Sequence, residues 1–346
     1  METPKKRSAT RVLAVDGGGI RGILPIRVLV GLEELTGLAV SDLFDVLVGT
    51  SIGGIGILGL VRPGSDGRPM WTARDLLELY SSRAKEIFPV TSLSWPQSLQ
   101  QVVEMIRRPT PTAALLGSNA RIGNARYDPA GLIGILTDQL GETMLSEALR
   151  HTVVTSYDVR SQQPAIFDSQ AIIDGEQKDI PMLTVARATS AAPSYFPPMT
   201  DTDPAGEERL LVDGGIFANN PALLGYQAAI EHGADPQKVV LVSLGTGKPG
   251  PNSSLTREDY MGSSWFRQAQ SLLESAQVGS VSVIDGFLRT VIGDTYWRFD
   301  VPLRADGGNE MDNTSDEHIE WLNKAGLAMV GEHIGDLTRL AGVLKS

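Results

Sequence analysis

The chain has 346 residues, 42% hydrophobic and 21% charged, the balance of a soluble globular protein with room for a sizeable core. Its 30 Lys and Arg against 41 Asp and Glu give a net charge of −11, which argues against a nucleic-acid polymer as partner and against purely electrostatic docking on anionic lipid. With no cysteine, disulfides, thiolate nucleophiles and cysteine-based zinc sites are excluded, and the cytoplasm is mildly favoured.

Residues 1–10 read as a basic, frayed tail carrying Lys5, Lys6 and Arg7, and no apolar run follows that would make a signal peptide. Apolar, β-rich runs recur at 12–15, 43–48, 152–156, 165–167, 210–212 and 239–244. Helical patterns lie among them at 23–35, directly after Ser51, and at 222–232. Strands that are uniformly apolar predict a sheet covered on both faces, hence an α/β protein with a three-layer α/β/α sandwich. The uncharged stretch 46–61 is 16 residues long and holds five glycines, short of the roughly 20 that span a bilayer. It reads as strand, tight turn and helix. Residues 63–141 carry seven prolines and no clear strand, the pattern of a cap inserted over one end of the sheet. Residues 316–344 read as one or two C-terminal helices with Ser315 as N-cap. Residues 11–346 are therefore expected to form one domain.

Gly49-Thr50-Ser51-Ile52-Gly53 is a G-x-S-x-G pentapeptide between a strand pattern and a helical one. A serine on such a turn projects above the sheet, glycines two positions either side relieve crowding, and the helix N-terminus favours developing negative charge. Upstream, Asp16-Gly17-Gly18-Gly19-Ile20-Arg21-Gly22 formally fits a dinucleotide fingerprint, yet the next strand pattern ends in the serine turn rather than in a ribose-binding acid. The other use of consecutive glycines is an oxyanion hole, with Gly17, Gly18 and Gly19 exposing N–H groups and Ile52 adding one. Arg21 either braces the loop or binds a phosphate; the residues do not choose.

Asp213-Gly214-Gly215 ends another apolar run, which brings a carboxylate to the edge where Ser51 emerges. A pocket that desolvates the carboxylate raises its pKa and improves it as a base. A histidine triad remains the alternative, but His151, His232, His318 and His333 all lie outside strand-end glycine contexts.

Together, in this order and spacing, these three motifs resemble the patatin-like phospholipases. So do Arg187-Ala188-Thr189-Ser190-Ala191-Ala192-Pro193, Val242-Ser243-Leu244-Gly245-Thr246-Gly247, Tyr296-x-Arg298 and Met311-Asp312-Asn313-Thr314, so the likeness covers nearly the whole chain. The resemblance implies a patatin-like fold with a central, mostly parallel sheet. It implies Ser51 as nucleophile, Asp213 completing a dyad without histidine, Gly17–Gly19 as oxyanion hole, and hydrolysis of acyl lipids without metal or organic cofactor. Phospholipid or another acyl lipid is the expected substrate, met at a transient membrane contact. Phe88, Leu93, Trp95, Leu99, Val102, Val103 and Ile106 are candidates for that contact, with cap packing as their ordinary role. A second reading follows from family members switched on by cyclic nucleotides in antiphage defence, and would use basic residues such as Arg107, Arg108, Arg121 and Arg126.

Overall fold

The computed structural model describes residues 9–88, 126–202, 206–248, 265–304 and 310–346. Eight strands form one sheet: β1 (Thr10–Val15), β2 (Val46–Thr50), β3 (His151–Asp158), β4 (Gln163–Asp168), β5 (Met199–Thr202), β6 (Glu208–Asp213), β7 (Val239–Leu244) and β8 (Tyr296–Phe299). Their order is β5-β6-β3-β2-β1-β7-β8, with β4 also on β3. The centre, β3-β2-β1-β7-β8, is parallel throughout. The margin formed by β4, β5 and β6 is antiparallel.

Alternation along the strands divides the interior into two cores. Leu13, Val15, Leu47, Val154, Val242 and Leu244 face one way, and Val12, Ala14, Val46, Val48, Val153 and Leu241 face the other. Both sets are buried, so the near-continuous apolar runs reflect helices on each face. On the first face pack α1 (Ile23–Thr36), α2 (Ile52–Val61), α3 (Ala73–Ile87), α4 (Ala130–Leu140) and α5 (Met182–Thr189). The second is covered by α6 (Ala222–Glu231) and part of α7 (Trp265–Ile292). Two C-terminal helices, α8 (Asp316–Glu332) and α9 (Ile334–Lys345), rejoin the first face against α1. The expected three-layer α/β/α sandwich is the fold observed.

Local departures from the expected elements have clear causes. The strand expected from residue 43 begins at Val46, because Val40–Leu43 turns helically and Asp45 is held by Arg11. β1 starts at Thr10, inside the expected tail. Within the expected cap, α3 and α4 bury Leu76, Leu77, Tyr80, Ile87, Leu132 and Ile135 in the main core, so the described parts of 63–141 belong to the helical layer. Residues 89–125 lie outside the described residues. Ser315 caps α8 as expected, its Oγ accepting the His318 N–H at 3.3 Å.

Candidate active site

Ser51 is the single residue between β2 and α2, with φ 55° and ψ −126°. That conformation strains a residue with a Cβ by about 1–3 kcal/mol, and it persists because the surroundings over-determine it. The Ser51 N–H donates to the Thr189 hydroxyl at 2.8 Å, and its carbonyl accepts the Ile55 N–H at 3.0 Å. A Cβ on Gly49 would sit 2.6 Å from Gly53 and Gly54 backbone atoms, and one on Gly53 would overlap the Val15 carbonyl. The pentapeptide glycines are thus required by backbone crossing backbone.

Asp213 ends β6, paired in register with Ser156 of β3. Its N–H donates to the Ala191 carbonyl at 3.0 Å, and its Oδ1 accepts the Gly215 N–H at 2.8 Å. The segment 189–191 therefore fixes both motifs, Thr189 under the serine and Ala191 under the aspartate. Burial pushes the Asp213 carboxyl up to about 6, opposed by hydrogen bonds from the Ser51 side chain and the Gly215 N–H.

The glycine loop follows β1. Its Asp16 is clamped by Arg298 of β8, whose Nη1 donates to Asp16 Oδ1 at 3.0 Å and Nη2 to Asp16 Oδ2 at 2.7 Å. Arg298 Nη2 also reaches Asp300 at 2.6 Å, and all three side chains are almost completely enclosed. Burial pushes the Asp16 carboxyl up to about 6 against the pull of Arg298.

Gly17 departs from the expected role, because its N–H is donated to the Asn219 carbonyl at 3.0 Å. It permits close approach instead: a Cβ there would lie 2.6 Å from Asn219 Oδ1 and 3.3 Å from Ser51 Cβ. The Gly18 and Gly19 N–H groups have no acceptor among the described residues. Gly19 has φ 58°, and a Cβ on it would strike the Met311 carbonyl. Arg21 braces the loop, its Nε donating to the Gly18 carbonyl at 3.2 Å.

Gly18, Gly19, Ser51 and Asp213 share the wall of one cavity of about 330 Å³. Its remaining surface is mainly apolar, from Ile52, Ile55, Leu132 and a ring cluster of Phe88 and Phe196 that Tyr127 backs. None of the four histidines, all of them described, lines it. His151 bonds Asp168 at 2.8 Å, and His318 is fully buried beside Trp321. Among the described residues no cluster of three His, Asp or Glu is disposed to hold a metal ion.

Of the residues considered for membrane contact, Phe88 is buried in that ring cluster, and Leu93, Trp95, Leu99, Val102, Val103 and Ile106 lie outside the described residues. Of the candidate cyclic-nucleotide contacts, Arg107, Arg108 and Arg121 also lie outside them, while Arg126 is ion-paired with Asp312. Thr189, Asn219, Gln277 and Arg298 shape the site although sequence reasoning gave them no role. Thr189 and Arg298 fell inside motifs already noted; Asn219 and Gln277 carried no local signal.

Fold and site together define a protein with a nucleophile-type serine turn over a mostly parallel sheet, opening on an apolar cavity. Residues 13–225 match the family model described as patatin-like phospholipase, and the chain belongs to that family. It is 29% identical to Patatin-like protein 2 of Arabidopsis thaliana, over 94% of this chain and 84% of that protein. It is also 29% identical to Patatin-17 of Solanum cardiophyllum, over 91% and 82% respectively. Among solved structures, VipD from Legionella pneumophila aligns with 94% of this chain and 67% of its own, at 12% identity and a TM-score of 0.36. Family membership makes the chain a lipid acyl hydrolase, an enzyme acting on carboxylic esters. No helix among the described residues is long and apolar enough to cross a membrane.

Proposed function

We propose that this protein is a phospholipase A or lysophospholipase that cleaves acyl esters of membrane lipids through a Ser51–Asp213 dyad. The observation that carries the reading is that a strained serine and a buried carboxylate share the wall of one mainly apolar cavity. A carboxyl group raised to about 6 is still ionised at neutral pH and is a better base than a solvated aspartate.

Asp213 accepts the Ser51 hydroxyl proton as Oγ bonds to the acyl carbonyl carbon. The carbonyl oxygen becomes an oxyanion, met by the N–H groups of Gly18 and Gly19 and by that of Ile52 at the start of α2. Collapse breaks the ester C–O bond, and Asp213 returns the proton to the departing alcohol or lysolipid. Water then attacks the acyl-serine, giving a proton to Asp213. As the C–O bond to Ser51 breaks, that proton passes to Oγ and the fatty acid leaves. The apolar walls hold the acyl chain and exclude water from the carboxylate.

Phosphatidylcholine and lysophosphatidylcholine hydrolysis by Ser51→Ala and Asp213→Asn tests the assignment, with a loss of about 10⁴-fold expected in each. Retained activity in either correctly folded variant overturns it.

A further inference from the structure

We infer that the outer face of α7 seats the protein on a zwitterionic phospholipid surface, an inference that rests on the lipid reading of the cavity. Several contacts hold the helix to the rest of the fold. Gln277 Nε2 donates to the Gly215 carbonyl at 3.0 Å, Leu288 is buried beneath, and Arg289 lies over the Tyr296 ring. Leu273, Glu274 and Gln277, near its start, form part of the cavity wall.

Leu272, Val283, Phe287 and Val291 on this helix are 59%, 71%, 50% and 46% exposed. At 100° per residue these four fall within an arc of roughly 100°. Within or immediately beside that arc lie Ala276, Gly279, Ser280, Gly286 and Thr290, and none is charged. Glu274, Asp285 and Arg289 all fall well outside it. The stripe runs about 28 Å from Leu272 to Val291, taking 1.5 Å of rise per residue.

Three observations select a lipid surface over a protein partner. The stripe begins beside the cavity wall, so whatever it rests on is continuous with the site that takes the acyl chain. About 28 Å by the width of one helix is roughly 300 Å², well below the roughly 800 Å² per partner of a stable dimer. It also carries no charge to fix a protein partner's register, whereas a bilayer interface needs only apolar side chains of sufficient depth. The net charge of −11 opposes anionic lipid, which leaves zwitterionic lipid as the matching surface.

The test is flotation of the full chain with phosphatidylcholine vesicles in a Ser51→Ala background, where no turnover alters the lipid. Val283→Ser with Phe287→Ser should reduce the vesicle-bound fraction at least about tenfold, since two exposed apolar anchors are lost. In the Ser51-containing protein the same pair should leave hydrolysis of a water-soluble short-chain ester unchanged, which checks the fold. Unchanged flotation of the double variant overturns the inference. So does a dimer, seen by light scattering without lipid, that the double variant dissociates. Failure of the soluble ester to react in either form counts against the proposed function instead, so the two failures are told apart.

Discussion

Replacing Arg298 by Met keeps most of the side-chain volume and removes a cation that serves two enclosed carboxylates. The Arg298, Asp16 and Asp300 side chains are only 2%, 2% and 4% exposed, so neither acid can turn to water when its partner is lost. Breaking a buried pair from one side costs about 3–5 kcal/mol, because the charge left behind has neither solvent nor counter-ion. Asp16 already sits at about 6 in the presence of Arg298, and without it rises further. A carboxyl whose folded pKa lies above its unfolded value holds more protons when folded, so the penalty is full at alkaline pH and recedes as the pH falls through the folded value. Urea unfolding followed by tryptophan fluorescence should therefore show the Arg298→Met deficit shrinking from about pH 8 to about pH 5. Adding Asp16→Asn should restore part of the loss at neutral pH, since the two positions share one network. A deficit under about 1 kcal/mol, or one that grows on acidification, would refute this reasoning.

Two further substitutions address the parts of the site that hold the reacting groups. Gly18→Ala places a methyl on the Thr246 side chain and displaces the loop, so kcat should fall about 10²–10³-fold with an unchanged circular dichroism spectrum. Thr189→Val removes the acceptor of the Ser51 N–H and should cost about 1–3 kcal/mol of stability while slowing acylation, with Thr189→Ser restoring both. Equal melting temperatures for wild type and Thr189→Val would show that the hydroxyl does not support the turn.

What was legible in the sequence was whatever a short segment dictates by itself. Gly49 and Gly53 are needed where backbone crosses backbone, and the apolar strands reflect burial on both faces, so the serine turn, the aspartate at a strand end and the three layers could be read directly. What escaped was set by contacts between distant segments. Arg298 meets Asp16 across 282 positions, and nothing near either residue announces the pair. Gly17 was expected to donate to an oxyanion because consecutive glycines expose their N–H groups, yet the carbonyl that takes its N–H belongs to Asn219, 202 positions away. The short margin strand β5 has polar, partly exposed residues and so lacked an apolar run to mark it. The prolines of 63–141 suggested a cap inserted over one end of the sheet, while Leu76, Leu77, Tyr80, Ala84 and Ile87 follow the helical period of a core-facing segment. The outer face of α7 carries Gly, Ser and Ala between its large apolar residues, which obscured a continuous helix.

The pH dependence of inactivation by a fluorophosphonate, with the adduct located by peptide mass, tests the dyad most directly. The account predicts a single adduct on Ser51, a rate that declines below about pH 6 as Asp213 takes up its proton, and a rate roughly 10⁴-fold lower in Asp213→Asn. An adduct on a different serine, or an Asp213→Asn variant that labels as fast as wild type across the same pH range, would contradict it.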